Sequence, residues 1–446
     1  MNPEIQNAKR IFVYGSGGRE HALVWKLRHE KYNDVVCFPG NGGIPGTVDL
    51  EGNIGRQEDY KNKEEYWKRL ADYIKTFNYD LTVVGPEVPL SQGIVDIFER
   101  SNLRIFGPSQ RAAELETSKI FAKEFMIKYG IPTAQKFLIP KNYNEAERFI
   151  KKYPFLRVIK ADGLASGKGV FVTNTEEEAL DAAKRLMIDY ELGDAGKRIL
   201  IEEKLNGEEI SYIVFSDGKN IKAMLPAQDH KRIFDNDLGP NTGGMGAYSP
   251  AKRINFDFEQ SILEEIVEPT INHMRENKTP YKGVLYFGLM RTDYGPKLLE
   301  YNCRFGDPET QAILPLMKSD LSGIMNACID GRLDKINIDF DYEKYCCCIV
   351  IASKGYPQEY ETGKEIFGLE EAEKMKDVLV FHAGTKRIYN YNHSTHRILT
   401  NGGRVLNVIG IGKTLEEARD TSYSAVKKIS FEGMQYRKDI GAKGLV

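Results

Sequence analysis

Short β-rich runs at 10–15, 35–38, 81–84 and 104–106 each stop at a loop containing glycine or proline, with helical spacing between them. Strands separated by helices pair in parallel, which commits this part of the chain to a doubly wound α/β sheet. In such sheets ligands sit beyond the carboxyl ends of the strands, so Gly17, Gly18, Asn41, Gly85 and Glu87 are expected around one crevice. The first loop, Gly15-Ser16-Gly17-Gly18, runs into Arg19-Glu20-His21-Ala22-Leu23. That is a strand, a glycine turn and a helix start, a geometry whose free backbone N–H groups suit a phosphate. It is not the dinucleotide fingerprint. Glu20 stands where the third glycine belongs, and strand two ends in Pro39-Gly40-Asn41 with no acidic residue for a ribose. A nicotinamide-dependent dehydrogenase loses its support here.

At 446 residues the chain exceeds one core and is expected to divide into roughly two to four domains. A formal net charge of −2 argues against a general nucleic-acid surface. No apolar run approaches the ~18 residues of a membrane span, and the start lacks the layout of a signal peptide. Cys37, Cys303, Cys328 and the triplet at 346–348 show no C-x-x-C spacing. The triplet sits in an apolar run that reads as a buried strand. Free thiols in this pattern indicate a reducing compartment, and a cytoplasmic multidomain enzyme is expected.

Further stretches point to phosphoryl chemistry. A helix over 118–132 has Thr117 or Ser118 to cap it, Gly130 for its C′ position and Pro132 to stop it. Lys119 then falls in the first turn, where the helix dipole disfavours a cation unless it is aimed at an anion. Residues 158–172 read as strand, glycine-rich loop, strand, with Lys160 in the first strand and Gly167-Lys168-Gly169 in the loop. A Walker A loop is excluded, because Gly169 follows the lysine and Asp162 takes the first glycine position. A hairpin closing over a triphosphate fits better. Residues 297–303 read as the second arm of a hairpin, so Glu300 and Asn302 share a face. One carboxylate plus one neutral oxygen suits Mg²⁺, and Arg304 adds a planar fork for a carboxylate or phosphate. An isolated Glu-x-Asn-x-Arg is more often a solvated edge. The Gly306-Asp307-Pro308-Glu309 continuation and the upstream loop lift it above that reading. Runs at 198–205 and 208–215 read as strands joined by a turn at Asn206-Gly207. After about 340 a buried strand (346–352), a turn at 400–403 and a Thr414-x-x-Glu417 capping box suggest a small α+β domain, with His382 a structural histidine.

Taken in order, GSGGREHA (15–22), VVGPEVPL (83–90), KADGLASGKGV (160–170), PAQDHKR (226–232), GPNTGGMGAYSP (239–250), EYNCRFGDPETQ (300–311) and TNGGRVL (400–406) closely resemble the phosphoribosylamine–glycine ligase family of purine synthesis. The resemblance covers nearly the whole chain. It implies an ATP-grasp architecture: an N-terminal domain at 1–117, a central domain at 118–135 and 207–340, a lid at 136–206 and a C-terminal domain at 341–446. It also implies no fused later activity. By carry-over, Lys119 and Lys160 contact ATP phosphates, the 163–169 loop with Gly167, Lys168 and Gly169 covers them, Glu202, Glu203, Lys204 and Leu205 line the adenine, and Glu209 holds the ribose. Arg232 and Asn241 are further phosphate-side contacts, and Glu300 and Asn302 ligate Mg²⁺ or Mn²⁺. Gly17, Gly18, Arg19, Asn41, Glu87, Asp229, His230 and Lys231 are expected on the substrates, with the glycine loop as the seat of the sugar phosphate. One departure stands out. Many ATP-grasp proteins carry another acidic metal ligand about a dozen residues earlier, where this chain has Phe287 and Gly288.

The implied reaction joins glycine to 5-phosphoribosylamine with ATP, as a monomer or a homodimer without nucleic acid or membrane. Arg304 would orient the glycine carboxylate, Lys160 neutralise the triphosphate and Asp307 grip the glycine ammonium. Rival readings are an ATP-grasp ligase for another carboxylate and a nucleotide-binding module without turnover.

Overall fold

Ile11, Phe12 and Val13 are each wholly out of solvent, which a strand achieves when both faces of its sheet are covered. In the computed structural model, which describes residues 10–30, 34–165, 167–251, 254–389 and 396–445, strand Arg10–Gly15 lies between Asp34–Pro39 and Leu81–Val84, and Ile105–Phe106 is the outer strand beyond Leu81–Val84. All pairings are parallel. Helix Lys63–Thr76 buries Tyr66, Trp67, Leu70, Ala71 and Ile74, one apolar stripe at helical spacing, and the Asn62 side chain caps it. Helix Lys119–Lys128 starts at Ser118, whose hydroxyl accepts the Phe121 N–H at 3.0 Å, and it ends before Gly130 at φ +69°.

The central sheet is antiparallel, in the order Ile221–Ala223, Glu208–Asp217, Lys282–Thr292, Gly295–Asn302. Gly295, at φ +93°, makes the turn between its last two strands. A register shift between Gly288 and Leu289 leaves Gly288 opposite Glu300 and Tyr286 opposite Asn302. A Cβ on Gly288 would lie 3.1 Å from Glu300 Cγ, while Phe287 is wholly buried in the core. Strand Lys282–Thr292 thus offers no acidic side chain beside Glu300.

The segment expected to be a lid, hereafter the lid, has a sheet of its own, ordered Phe137–Leu138, Ile199–Glu203, Leu156–Ala161, Val170–Val172. Helices Tyr143–Lys152 and Glu176–Met187 pack against it around Ile150, Leu156, Ile159, Ala182 and Leu186. Strands Ile199–Glu203 and Glu208–Asp217 therefore do not form the hairpin that Asn206-Gly207 suggested. They belong to separate sheets. Gly207, at φ +153°, leaves space for Arg291 O, which a Cβ would meet at 2.0 Å, so these residues link lid to centre.

In the C-terminal domain the order is Gln228–Asp229, Gly246–Ser249, Tyr345–Ser353, Arg404–Gly412, Val378–His382. The cysteine triplet is buried in Tyr345–Ser353. The first two strands come from the stretch expected to be wholly central. Gly246 makes this approach possible, since a Cβ there would lie 2.6 Å from Cys348 O. His382 is buried, with Nδ1 3.0 Å from Thr385 Oγ1. Thr414 caps Leu415–Val426 as the capping box predicts.

One hydrophobic core joins the N-terminal, central and C-terminal parts. Phe106, Phe215 and Phe305 meet in it with ring centroids 6.1–6.4 Å apart. The lid core shares none of these residues. Phe215→Ala is predicted to cost about 3–5 kcal/mol and Ile159→Ala about 2–5 kcal/mol. Hydrogen exchange should lose protection across the other domains for the first and within 137–203 for the second.

Candidate active site

Strand Gly295–Asn302 leads into a cavity of about 870 Å³ lined by residues of all four parts. Glu300 and Asn302, two apart on that strand, both face it. Lys119 Nζ is 3.8 Å from Glu300 Oε2, and Lys231 Nζ is 3.5 Å from Glu300 Oε1 and 2.9 Å from Glu209 Oε2. Burial alone would raise the Glu300 pKa. Lys231, Lys119, Lys160 and Arg304 outweigh it and hold the group down at about 2.

On the lid side, Lys160 Nζ sits 2.6 Å from Glu202 Oε2 and donates to Leu299 O on the central strand at 2.9 Å. Lys123 pairs with the other Glu202 oxygen at 2.6 Å and donates to Thr133 Oγ1. This triad is almost fully buried. Burial pushes the Glu202 carboxyl up, but Lys160 and Lys123 pull it below the ordinary carboxylate value. Glu203 accepts the N–H groups of Gln135 and Lys136. The lid rests on the 232–241 segment, where Asn241 Nδ2 donates to Val170 O at 3.1 Å and Arg232 Nη2 to Val172 O at 3.4 Å.

On the N-terminal side, Arg304 Nε is 2.8 Å from Glu87 Oε2 and Arg304 Nη2 is 3.3 Å from Glu116 Oε1. Burial opposes ionisation of Glu87, yet Arg304 and Arg19 keep its pKa at about 2. On the C-terminal side, Arg404 donates to both oxygens of Asp307, at 3.2 and 3.1 Å, and Gln311 donates to Asp307 Oδ1 at 2.7 Å. Against burial, Arg404 and then Arg19 hold the Asp307 carboxyl low. Asp229 is the opposite case, since burial and then the neighbouring Glu309 push its carboxyl well up.

Among the described residues no group of three His, Cys, Asp or Glu side chains is placed to hold a metal. Glu300 and Asn302 nonetheless suit Mg²⁺, which takes few protein oxygens and fills its shell with phosphate and water.

Of the residues singled out in the sequence, the fold brings Arg19, Glu87, Lys119, Lys160, Gly167, Gly169, the 202–205 run, Glu209, Asp229, Lys231, Arg232, Asn241, Glu300, Asn302, Arg304 and Asp307 to the cavity. Gly17, Gly18, Asn41, Lys168 and His230 are not among its lining residues, and Ser166 of the lid loop lies outside the described residues. One N–H of the glycine loop is already engaged within the chain. Gly17 N–H donates to Glu20 Oε2 at 2.6 Å, and a Cβ at Gly85 would fall 1.9 Å from the same carboxylate. The acidic residue that breaks the dinucleotide pattern fills the loop itself. Gly18 abuts Asn407, and Asn41 bonds the backbone of Ser16, Gly43, Ile44 and His382. His230 is buried with Nδ1 facing Gly246 O at 3.3 Å and Nε2 accepting the Gly441 N–H at 3.3 Å. Burial, then Arg437 and Lys443, holds its pKa at about 4, so it is neutral at pH 7. Lys168 is exposed on the lid loop.

Sequence reasoning missed Glu116, Arg404 and Lys443, which line the cavity. Arg404 stood in the quoted TNGGRVL stretch at 400–406, but its partner Asp307 lies 97 residues away.

The chain matches the phosphoribosylglycinamide synthetase family over its N domain at 9–116, its ATP-grasp (A) domain at 117–310 and its C domain at 346–443. It is 44% identical over 434 residues to the phosphoribosylamine–glycine ligase of Caldanaerobacter subterraneus subsp. tengcongensis, covering 97% of this chain and 99% of that one. It is 46% identical over 438 residues to the enzyme of that name from Ralstonia nicotianae, covering 98% and 99%. The crystal structure of phosphoribosylamine–glycine ligase from Thermotoga maritima superposes with a TM-score of 0.78 at 34% identity, covering 97% of this chain and 100% of that one. Biotin carboxylase from Campylobacter jejuni, at 13% identity and a TM-score of 0.67 over 98% and 94% of the two chains, shares the fold.

Replacing Glu202 by Gln leaves Lys123 and Lys160 facing each other without a buried anion, and is predicted to cost about 3–5 kcal/mol in urea denaturation at pH 7. Because the folded Glu202 pKa lies below its ordinary 4.5, this contribution is present above about pH 4.5 and is lost as pH falls through the folded value. The difference between the two proteins should shrink in that acid window.

Proposed function

Since the chain belongs to the phosphoribosylglycinamide synthetase family, we propose that it joins glycine to 5-phosphoribosylamine, giving glycinamide ribonucleotide, ADP and phosphate by way of glycyl phosphate, in purine biosynthesis. The observation that carries this reading is the Glu300–Asn302 pair, with Lys119, Lys231 and Arg304 beside it and Lys160 anchored to the same strand. Such a cluster of cations around two oxygen donors is what a polyphosphate with Mg²⁺ requires.

A carboxylate resists attack by an amine, because its carbon is electron-rich and oxide is a poor leaving group. Moving the γ-phosphoryl of ATP onto a glycine oxygen breaks the bond to ADP and forms an acyl phosphate. The amine nitrogen of phosphoribosylamine then attacks the acyl carbon, loses a proton, and phosphate departs. Neither step needs a protein nucleophile. Positioning and charge neutralisation suffice. Lys119 and Lys160 are placed on the phosphates, Glu202 to Leu205 on the adenine, Glu209 on the ribose, and Glu300 with Asn302 on Mg²⁺ or Mn²⁺. The metal's part is to neutralise phosphate charge. Arg304 takes the glycine carboxylate. Asp307, ionised by Arg404, keeps acceptor capacity for the glycine ammonium. Arg19 and Glu87, at the carboxyl ends of the N-terminal sheet, face the phosphoribosylamine. Contacts of Arg232 and Asn241 with the lid strand serve to exclude water, which would hydrolyse the acyl phosphate.

The cavity is built from one chain, so a monomer or either half of a homodimer suffices. No helix among the described residues is long and apolar enough to cross a membrane. All six cysteines are buried and unpaired, which suits the reducing cytoplasm where we place the enzyme.

The test is ADP release with Mg-ATP, glycine and phosphoribosylamine generated in the assay. ADP formation should need both co-substrates, and a different carboxylate supporting turnover in place of glycine would overturn the assignment. Arg304→Ala should lower kcat by about 100-fold with the KM for Mg-ATP little changed. Glu300→Gln should instead raise the Mg²⁺ concentration needed for half-maximal rate, by about tenfold or more.

A further inference from the structure

Glu116 lies in the short helix Glu114–Thr117, where the N-terminal domain passes into the helix carrying Lys119. Nothing in the local sequence marks it, yet the residue is only 5% exposed and lines the cavity. One oxygen, Oε2, accepts the backbone N–H of Cys303 at 2.8 Å and the Cys303 thiol at 3.0 Å. The other, Oε1, faces Arg304 Nη2 at 3.3 Å. The same guanidinium meets Glu87 Oε2 through Nε at 2.8 Å and Asn302 Oδ1 through Nη2 at 3.3 Å. Two carboxylates from separate N-terminal segments thus hold one arginine, and Glu116 also holds the Asn302–Cys303 peptide just before it.

A group needed only to satisfy the Cys303 N–H could be any neutral acceptor. A buried charge is costly unless paired, and the cationic side chain that pairs with Glu116 is Arg304. The carboxylate fixes the chain just past the metal strand and orients the guanidinium relative to Asn302. We propose that Glu116 is a positioning residue for the ligase reaction, acting through Arg304 to set where the guanidinium stands at the carboxylate to be phosphorylated. This rests on the reading of Arg304 given above. In this reading Glu116 acts through Arg304 and not on a substrate atom.

Glu116→Gln keeps the shape and an acceptor for Cys303 but removes the charge that orients Arg304. In the full chain, ADP release should fall about 10- to 100-fold in kcat, with the KM for Mg-ATP within about twofold and an unchanged far-ultraviolet spectrum. Glu116→Asp, which keeps the charge one methylene further back, should recover part of the loss and serves as the probe if the Gln variant fails to fold. The decisive arm is the double variant. Adding Glu116→Gln or Glu116→Asp to Arg304→Ala should cause no further loss, because the residue through which Glu116 acts is already gone. Losses that multiply, or full kcat in both single Glu116 variants, would overturn the proposal while leaving an impaired Arg304→Ala, and so the Arg304 reading, intact. Normal turnover in Arg304→Ala would remove Arg304 from the mechanism and the proposal with it.

Discussion

A carboxylate, Glu300, stays ionised in a deep cavity because cations from three parts of the fold converge on it. Lys119 comes from the helix that opens the central domain, Lys160 from the lid and Lys231 from the segment that crosses toward the C-terminal sheet. Each lysine is in turn tied down, loosely or tightly, by acidic partners: Glu300 itself, Glu202, Glu209. The result is a set of charges, most of them partly or fully buried, that balance one another without a ligand and can be shared with one. Such an arrangement adds little net stability, since desolvation cancels most of the attraction. It fixes instead where a polyphosphate must lie.

The architecture follows from holding these charges together. The N-terminal, central and C-terminal parts share one apolar core around Phe106, Phe215 and Phe305, so Glu87, Glu116, Arg304, Asp307 and Arg404 sit on a common frame. The lid has its own core and meets that frame through polar contacts: Lys160 on Leu299 O and Glu202 on Lys123, Asn241 and Arg232 on the strand Val170–Val172. Polar contacts can be broken and remade without exposing a core, which suits a cover over a water-sensitive intermediate.

What the sequence made legible was local. The alternation that puts Glu300 and Asn302 on one face, the cap at Ser118, the hairpin around Lys160 and the apolar strand of the cysteine triplet all depend on neighbours within a few residues. What escaped was long-range. Glu116 is paired with Cys303 across 187 positions, and nothing near either residue signals it. The short strands Gln228–Asp229 and Gly246–Ser249 were invisible as members of the C-terminal sheet, because a glycine run signals close approach without naming the partner. The glycine loop adds a contact that its pattern did not signal, since its Gly17 N–H donates to the Glu20 side chain of the following helix. His230, set among charged and small residues, turns out to bridge Gly246 and Gly441.

Activation of a carboxylate by phosphorylation in this cavity is tested most directly by the fate of oxygen. With glycine labelled with ¹⁸O in its carboxylate, Mg-ATP and phosphoribosylamine, the account predicts that the phosphate released carries an oxygen from glycine, matched in amount to the ADP formed. Phosphate free of the label, alongside full formation of the amide product, would contradict it, because the carboxylate would then have been activated by some route other than an acyl phosphate.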